Sequence, residues 1–189
     1  VAEALTHYEA AIAAAPDHQA AHSNYGTALY ALHRAGDPAR ASGKARAWAQ
    51  AHRDNATARH VAAALTGAQA EARAPDDYVR SAFDMFAPTF ETTLAKLDYR
   101  APQALDALLT RQMPLPAPLG AVLDAGCGTG LAAPMLRPRA ERLEGVDLSP
   151  AMVERARARG LYDDLRVGEL TADLRAHAGL QLVVGHVVG

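Results

Sequence analysis

Apolar positions change period along this chain. Between Val79 and Leu97 they recur every three or four residues, at Val79, Phe83, Phe86, Phe90, Leu94 and Leu97, which is one face of an amphipathic helix. Pro88 falls inside that pattern, removing a helical hydrogen bond and clashing with the preceding turn, so two short helices are predicted over 77–86 and 88–97. Another helix is expected near Pro102 to Gln112, after which Pro114, Pro116 and Pro118 lead into a different regime. From Ala121 onward the apolar residues come in short runs, Val122-Leu123, Leu143 to Val146, Leu165 to Val167 and Leu180 to Val184, which read as strands. Helical stretches separate them: Leu131 to Leu136, a segment opened by Ser149-Pro150 as capping hydroxyl and first-turn proline, and Thr171 to His177. Strands alternating with helices predict an α/β fold with a parallel sheet.

The first 70 residues have a third pattern, in which small residues recur with aromatics. Ala4, Tyr8, Ala11 and Pro16 have the spacing of the second helix of a tetratricopeptide repeat. Tyr25-Gly26 falls where the following helix of such a repeat has Leu-Gly, and Ala41, Ala45 and Trp48 recur in the next, with extra residues near Gly36-Asp37-Pro38. Small residues let paired helices approach closely and proline ends the unit. At most two units fit, fewer than the three or so that stand alone, so support from the neighbouring domain or from earlier repeats is expected. A plain alanine-rich helical stack satisfies the same pattern. The polar stretch Glu71 to Asp77 is the expected boundary, giving a helical region over 1–74 and a second domain over 75–189.

Composition narrows the function classes. Half of the 189 residues are hydrophobic but only 5% are aromatic, which favours close helix packing by alanine over a bulky aromatic core. The net charge of -2 provides no basic field for nucleic acid. The single cysteine, Cys127, allows neither an internal disulfide nor a cysteine-built zinc site. No apolar run approaches the roughly 20 residues of a membrane span and no charged-then-apolar leader opens the chain, so a cytoplasmic protein is expected. His18 and His22 stand one helical turn apart as metal ligands can, but lack a third partner; a solvated helix face is the expectation, with no metal.

The chemistry concentrates where the first strand ends. Asp124-Ala-Gly126-Cys127-Gly128-Thr-Gly130 follows Val122-Leu123, and its glycines allow a sharp turn and close backbone approach to a ligand. In an open parallel sheet, ligands bind beyond the carboxyl ends of the strands. A helix start after the turn would favour an anion. A dinucleotide fingerprint needs a third glycine where Leu131 stands. The pattern is instead an acid followed by three alternate glycines, and the acid suits a ligand bearing an ammonium group. Asp147, closing the second strand, suits a ribose diol, because a carboxylate accepts both hydroxyl protons. Glu169, just past the third strand, is placed to accept from an exocyclic amine such as that of adenine. Amino acid, ribose and adenine in that order describe S-adenosylmethionine.

With these residues the chain resembles the class I S-adenosylmethionine-dependent methyltransferases, and more narrowly the bacterial methyltransferases that carry tetratricopeptide repeats. Supporting phrases are Tyr78-Val-Arg-Ser-Ala-Phe83-Asp-Met-Phe86, Tyr99-Arg-Ala-Pro102, Gly145-Val-Asp147-Leu-Ser-Pro-Ala-Met152 and Gly160-Leu-Tyr162-Asp163. The resemblance implies a Rossmann-like methyltransferase sheet preceded by an all-α tetratricopeptide-like region, with S-adenosylmethionine as cofactor. It implies that Asp124, Gly126, Gly128 and Gly130, with Cys127 between them, hold the methionine part and that Asp147 binds ribose. Leu148 and Met152 would then pack on adenine, Glu169 and Leu170 would flank its edge, and Tyr78, Phe83 and Phe86 would form a lid.

The family's sheet has seven strands, its acceptor site built largely after the fourth. Here Gln181 stands where the family has Asp, and Gly185 to Gly189 replace the polar turn expected to face the methyl group. A sheet truncated after about four strands is therefore expected, with an apolar edge that predicts self-association or a poorly ordered end. No catalytic residue is assigned; His186 is too near the chain end. The methyl acceptor, small molecule or protein, stays open, as does a protein partner on the helical repeats. The alternative is a non-catalytic helical binding module with a vestigial cofactor fold.

Overall fold

The computed structural model describes residues 1–68, 74–112, 119–176 and 182–185. The expectations placed on residues 71–73, on Pro114, Pro116 and Pro118, on His177, on residues 180–181 and on 186–189 lie outside the described residues. The chain divides into two compact units, Val1–Met85 and Phe86–Gly189.

In the first unit, helices α1 (Ala2–Ala14), α2 (Gln19–Arg34), α3 (Pro38–Ala51) and α4 (Ala56–Thr66) each pack on the next, and α2 also packs on α4. Local chemistry sets their ends. Asp37 accepts the Arg40 N–H with Pro38 opening α3, Asn55 accepts the Ala58 N–H, and Gly67 takes the left-handed conformation that stops α4. Leu5 and Ile12 of α1, Tyr25 and Leu29 of α2, Ala41, Ala45 and Trp48 of α3, and Ala58 and Val61 of α4 form the core. Gly26 lies close against its neighbours: a Cβ there would stand 3.0 Å from Val61 Cγ2 and 3.6 Å from the Trp48 ring.

Two polar groups join this core. Glu9 of α1 accepts from the Tyr25 hydroxyl and from Lys44 Nζ, both at 2.6 Å, so one carboxylate ties three helices together. His22 is fully buried, which corrects the expected solvated face. The Trp48 indole N–H donates to its Nδ1 at 3.0 Å and its Nε2 lies 2.8 Å from the Pro16 carbonyl, so the ring is satisfied as a neutral donor–acceptor. His18 caps α2 instead, its Nδ1 accepting the Ala21 N–H. The helix α5 (Asp76–Phe86) closes the unit, with Tyr78 stacked on His60 at 3.9 Å between ring centres.

The second unit begins at Phe86, the last residue of α5, and continues with a 3-10 turn at Ala87–Thr89, where Pro88 breaks the helical pattern as predicted, then α6 (Phe90–Lys96) and α7 (Ala101–Gln112). Strands β1 (Leu119–Ala125), β2 (Ala140–Asp147), β3 (Asp164–Val167) and β4 (Leu182–Gly185) form a parallel sheet in the order β3-β2-β1-β4. Between them lie α8 (Ala133–Leu136), α9 (Pro150–Ala158) and α10 (Leu170–Ala176). This mixture of helices with a small parallel sheet is Rossmann-like. Ser149 caps α9 through the Met152 N–H. The helix expected over 131–136 shrinks to the four residues of α8, because Pro134 and Pro138 confine it, so no long helix starts at the glycine turn.

Strand alternation sorts the core. Val122 and Leu143 are register partners and pack with Leu109 of α7 and Leu136 of α8. On the other face Leu123, Ala125 and Val146 pack with Leu170 of α10. Asp124 and Gly145 are also register partners, on the Val122 face. The outer strand β3 is charged: Arg166 pairs with Glu144, Asp164 and Asp173, which blunts an edge that would otherwise recruit another strand. The order reverses at β1, with β2 on one side and β4 on the other, which opens a crevice at the carboxyl ends of the strands.

Candidate functional site

The glycine turn lies at that reversal. Gly126, Gly128 and Gly130 all have positive φ, at 73°, 53° and 79°, so three of five consecutive residues use backbone conformations that side chains disfavour. The turn is fastened to β2: the N–H groups of Gly126 and Cys127 both donate to the Val146 carbonyl, at 2.8 and 3.0 Å. Asp147 completes the join, its Oδ2 accepting the Gly128 N–H and its Oδ1 the Ser149 N–H, each at 2.9 Å. Two of the three acids that the sequence singles out, Asp124 and Asp147, thus flank one turn.

Asp124 is the penultimate residue of β1 and is fully buried. Its Oδ2 accepts from the Tyr162 hydroxyl at 2.6 Å, while its Oδ1 has no hydrogen-bond partner among the described residues. Burial pushes this carboxyl up to about 6; the Tyr162 bond opposes the rise and the nearby Asp147 charge adds to it. A buried carboxylate oxygen with no donor is uncommon in a folded protein and suits a site completed by a ligand. The Thr129 hydroxyl in the same turn is likewise buried without a partner among the described residues. Burial, then the charges of Asp124 and Asp147, push the Cys127 thiol up as well, so it stays a protonated, small apolar filler.

The remaining expected residues fall as follows. Glu169 accepts the Ala172 N–H at 2.9 Å and so caps α10. Leu170 is half-buried against the Leu123, Ala125 and Val146 cluster, and Leu148 is also half-buried. Met152 is 1% exposed, so it packs within the fold while Leu148 and Leu170 keep accessible surface. Phe86 stands edge-on to Phe90, with 5.3 Å between ring centres. Tyr78 and Phe83 belong to the first unit.

Three contributors escape the sequence pattern. Phe90, which the sequence shows only as part of a helical face, places its ring 4.0 Å from the position a Gly128 Cβ would take. Arg159, at the end of α9, donates to the Thr129 carbonyl at 2.6 Å and to Glu91 at 2.7 Å, joining the turn to α6. Tyr162 enters the sequence pattern only within a supporting phrase. Its ring lies over Gly145, where a Cβ would be 3.0 Å away, and beside Gly130, where one would be 3.1 Å away. Glycines at 130 and 145 could signal a ring packed on backbone, but nothing in the sequence says which ring.

Comparison with known proteins gives this geometry a context. The human protein methyltransferase-like protein 27 is 45% identical over 84 residues, covering 44% of this chain and 34% of its own length. Among solved structures, a DhpI complex with SAH aligns at 28% identity and a TM-score of 0.39, covering 47% of this chain and 42% of that one. A DhpI complex with SAM and HEP aligns at 27% identity and a TM-score of 0.38, covering 47% and 40%. The chain therefore spans well under half the length of these relatives. Residues 122–183, running from β1 into β4 with the glycine turn, Asp147 and Glu169 between them, match the family model of a methyltransferase domain.

Proposed function

We propose that this chain binds S-adenosylmethionine at the β1 turn and belongs to a methyltransferase that passes the methyl group to a small-molecule or protein acceptor. The observation that carries the proposal is the buried carboxylate of Asp124, with one oxygen unpartnered beside a turn of three positive-φ glycines. An ammonium group is the ligand feature that satisfies such an oxygen, and glycines without side chains leave the backbone open to it. When bound, S-adenosylmethionine supplies a methyl group on a positively charged sulfur, ready for transfer to a nucleophile.

In this reading Asp124 accepts the ammonium and the backbone of Gly126, Cys127, Gly128 and Gly130 lines the methionine part. Asp147 accepts the ribose hydroxyls; a carboxylate has about four acceptor sites, and the two backbone N–H groups hold it in place for the task. Leu148 and Leu170 pack on adenine with Met152 behind them in the core, and Glu169 faces its edge. Phe86, edge-on to Phe90, covers the cofactor. No residue is assigned to the acceptor.

For the helical region, over 1–74, we propose a tetratricopeptide-like array that holds a protein partner, in a cytoplasmic enzyme whose second domain spans 75–189. In support, α2 packs on both α3 and α4, the arrangement of a stacked helical array, and Gly26 leaves room for a close approach. Among the described residues no helix is long and apolar enough to cross a membrane.

Isothermal titration with S-adenosylhomocysteine tests the cofactor assignment. Saturable binding of one molecule per chain is the expected result, with affinity lost in Asp124→Ala. Absence of binding at millimolar ligand would overturn it.

A further inference from the structure

Tyr162 reaches Asp124 from the segment before β3, 38 positions along the chain. Its ring needs the bare backbone of both Gly130 and Gly145 to get there. We propose that Tyr162 is a positioning residue: by engaging Oδ2 of Asp124 it fixes the carboxylate so that Oδ1 is presented to the ligand's ammonium. This rests on the reading of Asp124 to Gly130 as the S-adenosylmethionine site.

Geometry supplies the first argument. The terminal torsion of an aspartate is broad, so a carboxylate with no partner samples many orientations. The 2.6 Å bond from a ring held between two glycines removes that freedom before any ligand arrives. Electrostatics supplies the second. A charge-assisted O–H···O bond stabilises the ionised carboxylate against burial, and only the ionised form attracts an ammonium group. Burial, together with Asp124 itself, pushes the Tyr162 phenol far up, so it remains a donor throughout the physiological range.

The charged and titratable neighbours do not take over this role. Asp147 at the end of β2 and Cys127 in the turn are acids, and Asp147 raises the Asp124 carboxyl. Arg159 of α9 is engaged by the Thr129 carbonyl and by Glu91 of α6. On the other side β4 brings Val184 into register with Asp124, and residues 182–185 contain no ionisable side chain.

The test compares two ligands on the full chain and on Tyr162→Phe, which keeps the ring and removes only the hydroxyl. S-adenosylhomocysteine has the ammonium; 5′-methylthioadenosine lacks the whole amino-acid part. The variant should bind S-adenosylhomocysteine about tenfold more weakly at pH 7.5, as loss of one hydrogen bond to a charged group implies, and bind 5′-methylthioadenosine unchanged. In the wild type, affinity for S-adenosylhomocysteine should fade as pH falls through about 6, where Asp124 protonates. In the variant that midpoint should move to higher pH, because a bond that lowers the carboxyl has been removed. Unchanged affinity and midpoint would overturn the role of Tyr162. Equal weakening for both ligands would also overturn it, reducing the ring to packing. Failure of the wild type to bind either ligand would instead overturn the cofactor site, and the positioning role with it.

Discussion

Asp147 accepts the Gly128 N–H at 2.9 Å, so the acid that ends β2 holds the turn that follows β1. The same carboxylate accepts the Ser149 N–H, at the residue that caps α9. One side chain thereby sets the geometry of the turn and of the next helix start, and any ligand at the turn meets a prearranged site.

The turn glycines are not equivalent. Among the described residues a Cβ on Gly128 would meet only the Phe90 ring, at 4.0 Å, so Gly128→Ala carries the left-handed penalty alone, about 1–2 kcal/mol. On Gly130 it would lie 3.1 Å from Arg159 and Tyr162 and 3.3 Å from the Ala156 backbone. Gly130→Ala therefore adds overpacking of about 1–3 kcal/mol to the same penalty. Urea unfolding of both variants should rank Gly130→Ala well below Gly128→Ala; the reverse order would contradict this packing.

Asp124 predicts a pH dependence of opposite sign to that of an ordinary ion-paired acid. Its carboxyl sits at about 6 in the fold, against an ordinary value of 3.8, so the folded protein holds this proton more tightly than the unfolded chain does. Its contribution to stability is complete below the unfolded value and is lost as pH rises through about 6. The gap corresponds to about 3 kcal/mol. Unfolding free energies measured without ligand should shift in favour of Asp124→Asn, relative to wild type, by an amount of that order between pH 4 and pH 7. A pH-independent difference between the two proteins would show that the carboxylate is not strained in this way.

In the helical unit, two glycines within helices should answer oppositely to alanine. A methyl group added at Gly43 would meet nothing within 4 Å, so Gly43→Ala should gain the helix preference of alanine, about 0.5–1 kcal/mol. At Gly26 the same gain is opposed by Val61 Cγ2 at 3.0 Å, on a β-branched side chain with little freedom to rotate. Overpacking of about 1–3 kcal/mol should make Gly26→Ala destabilising overall. Thermal unfolding of the pair decides it, and a stabilised Gly26→Ala would remove the close-approach argument.

Much of this fold is legible in the sequence because it is local. The break at Pro88, the cap at Ser149, the strands that carry Asp124 and Asp147 at their carboxyl ends and the glycine turn all follow from short-range chemistry. The long-range partners are not legible. Tyr162 reaches Asp124 from 38 positions away, and Arg159 reaches Glu91 from 68. Phe90 lies on a helical face whose period says that it is buried but not that it covers Gly128. His22 misleads for a related reason: a histidine on an alanine-rich helix reads as polar surface until Trp48 and Pro16 are seen to satisfy it. The helix after the turn is shorter than its apolar residues suggest, because Pro134 and Pro138 deny it length.

The central claim is that the β1 turn and its two acids bind S-adenosylmethionine, and ligand-induced stabilisation tests it most directly. At 100 times its dissociation constant the cofactor should raise the unfolding free energy of the wild type by about 2.7 kcal/mol. Asp147→Ala, which removes the acceptor for the Gly128 N–H and, in the proposed reading, for the ribose, should lose most of that gain at the same cofactor concentration. No stabilisation of the wild type, or an equal gain in Asp147→Ala, would contradict the account.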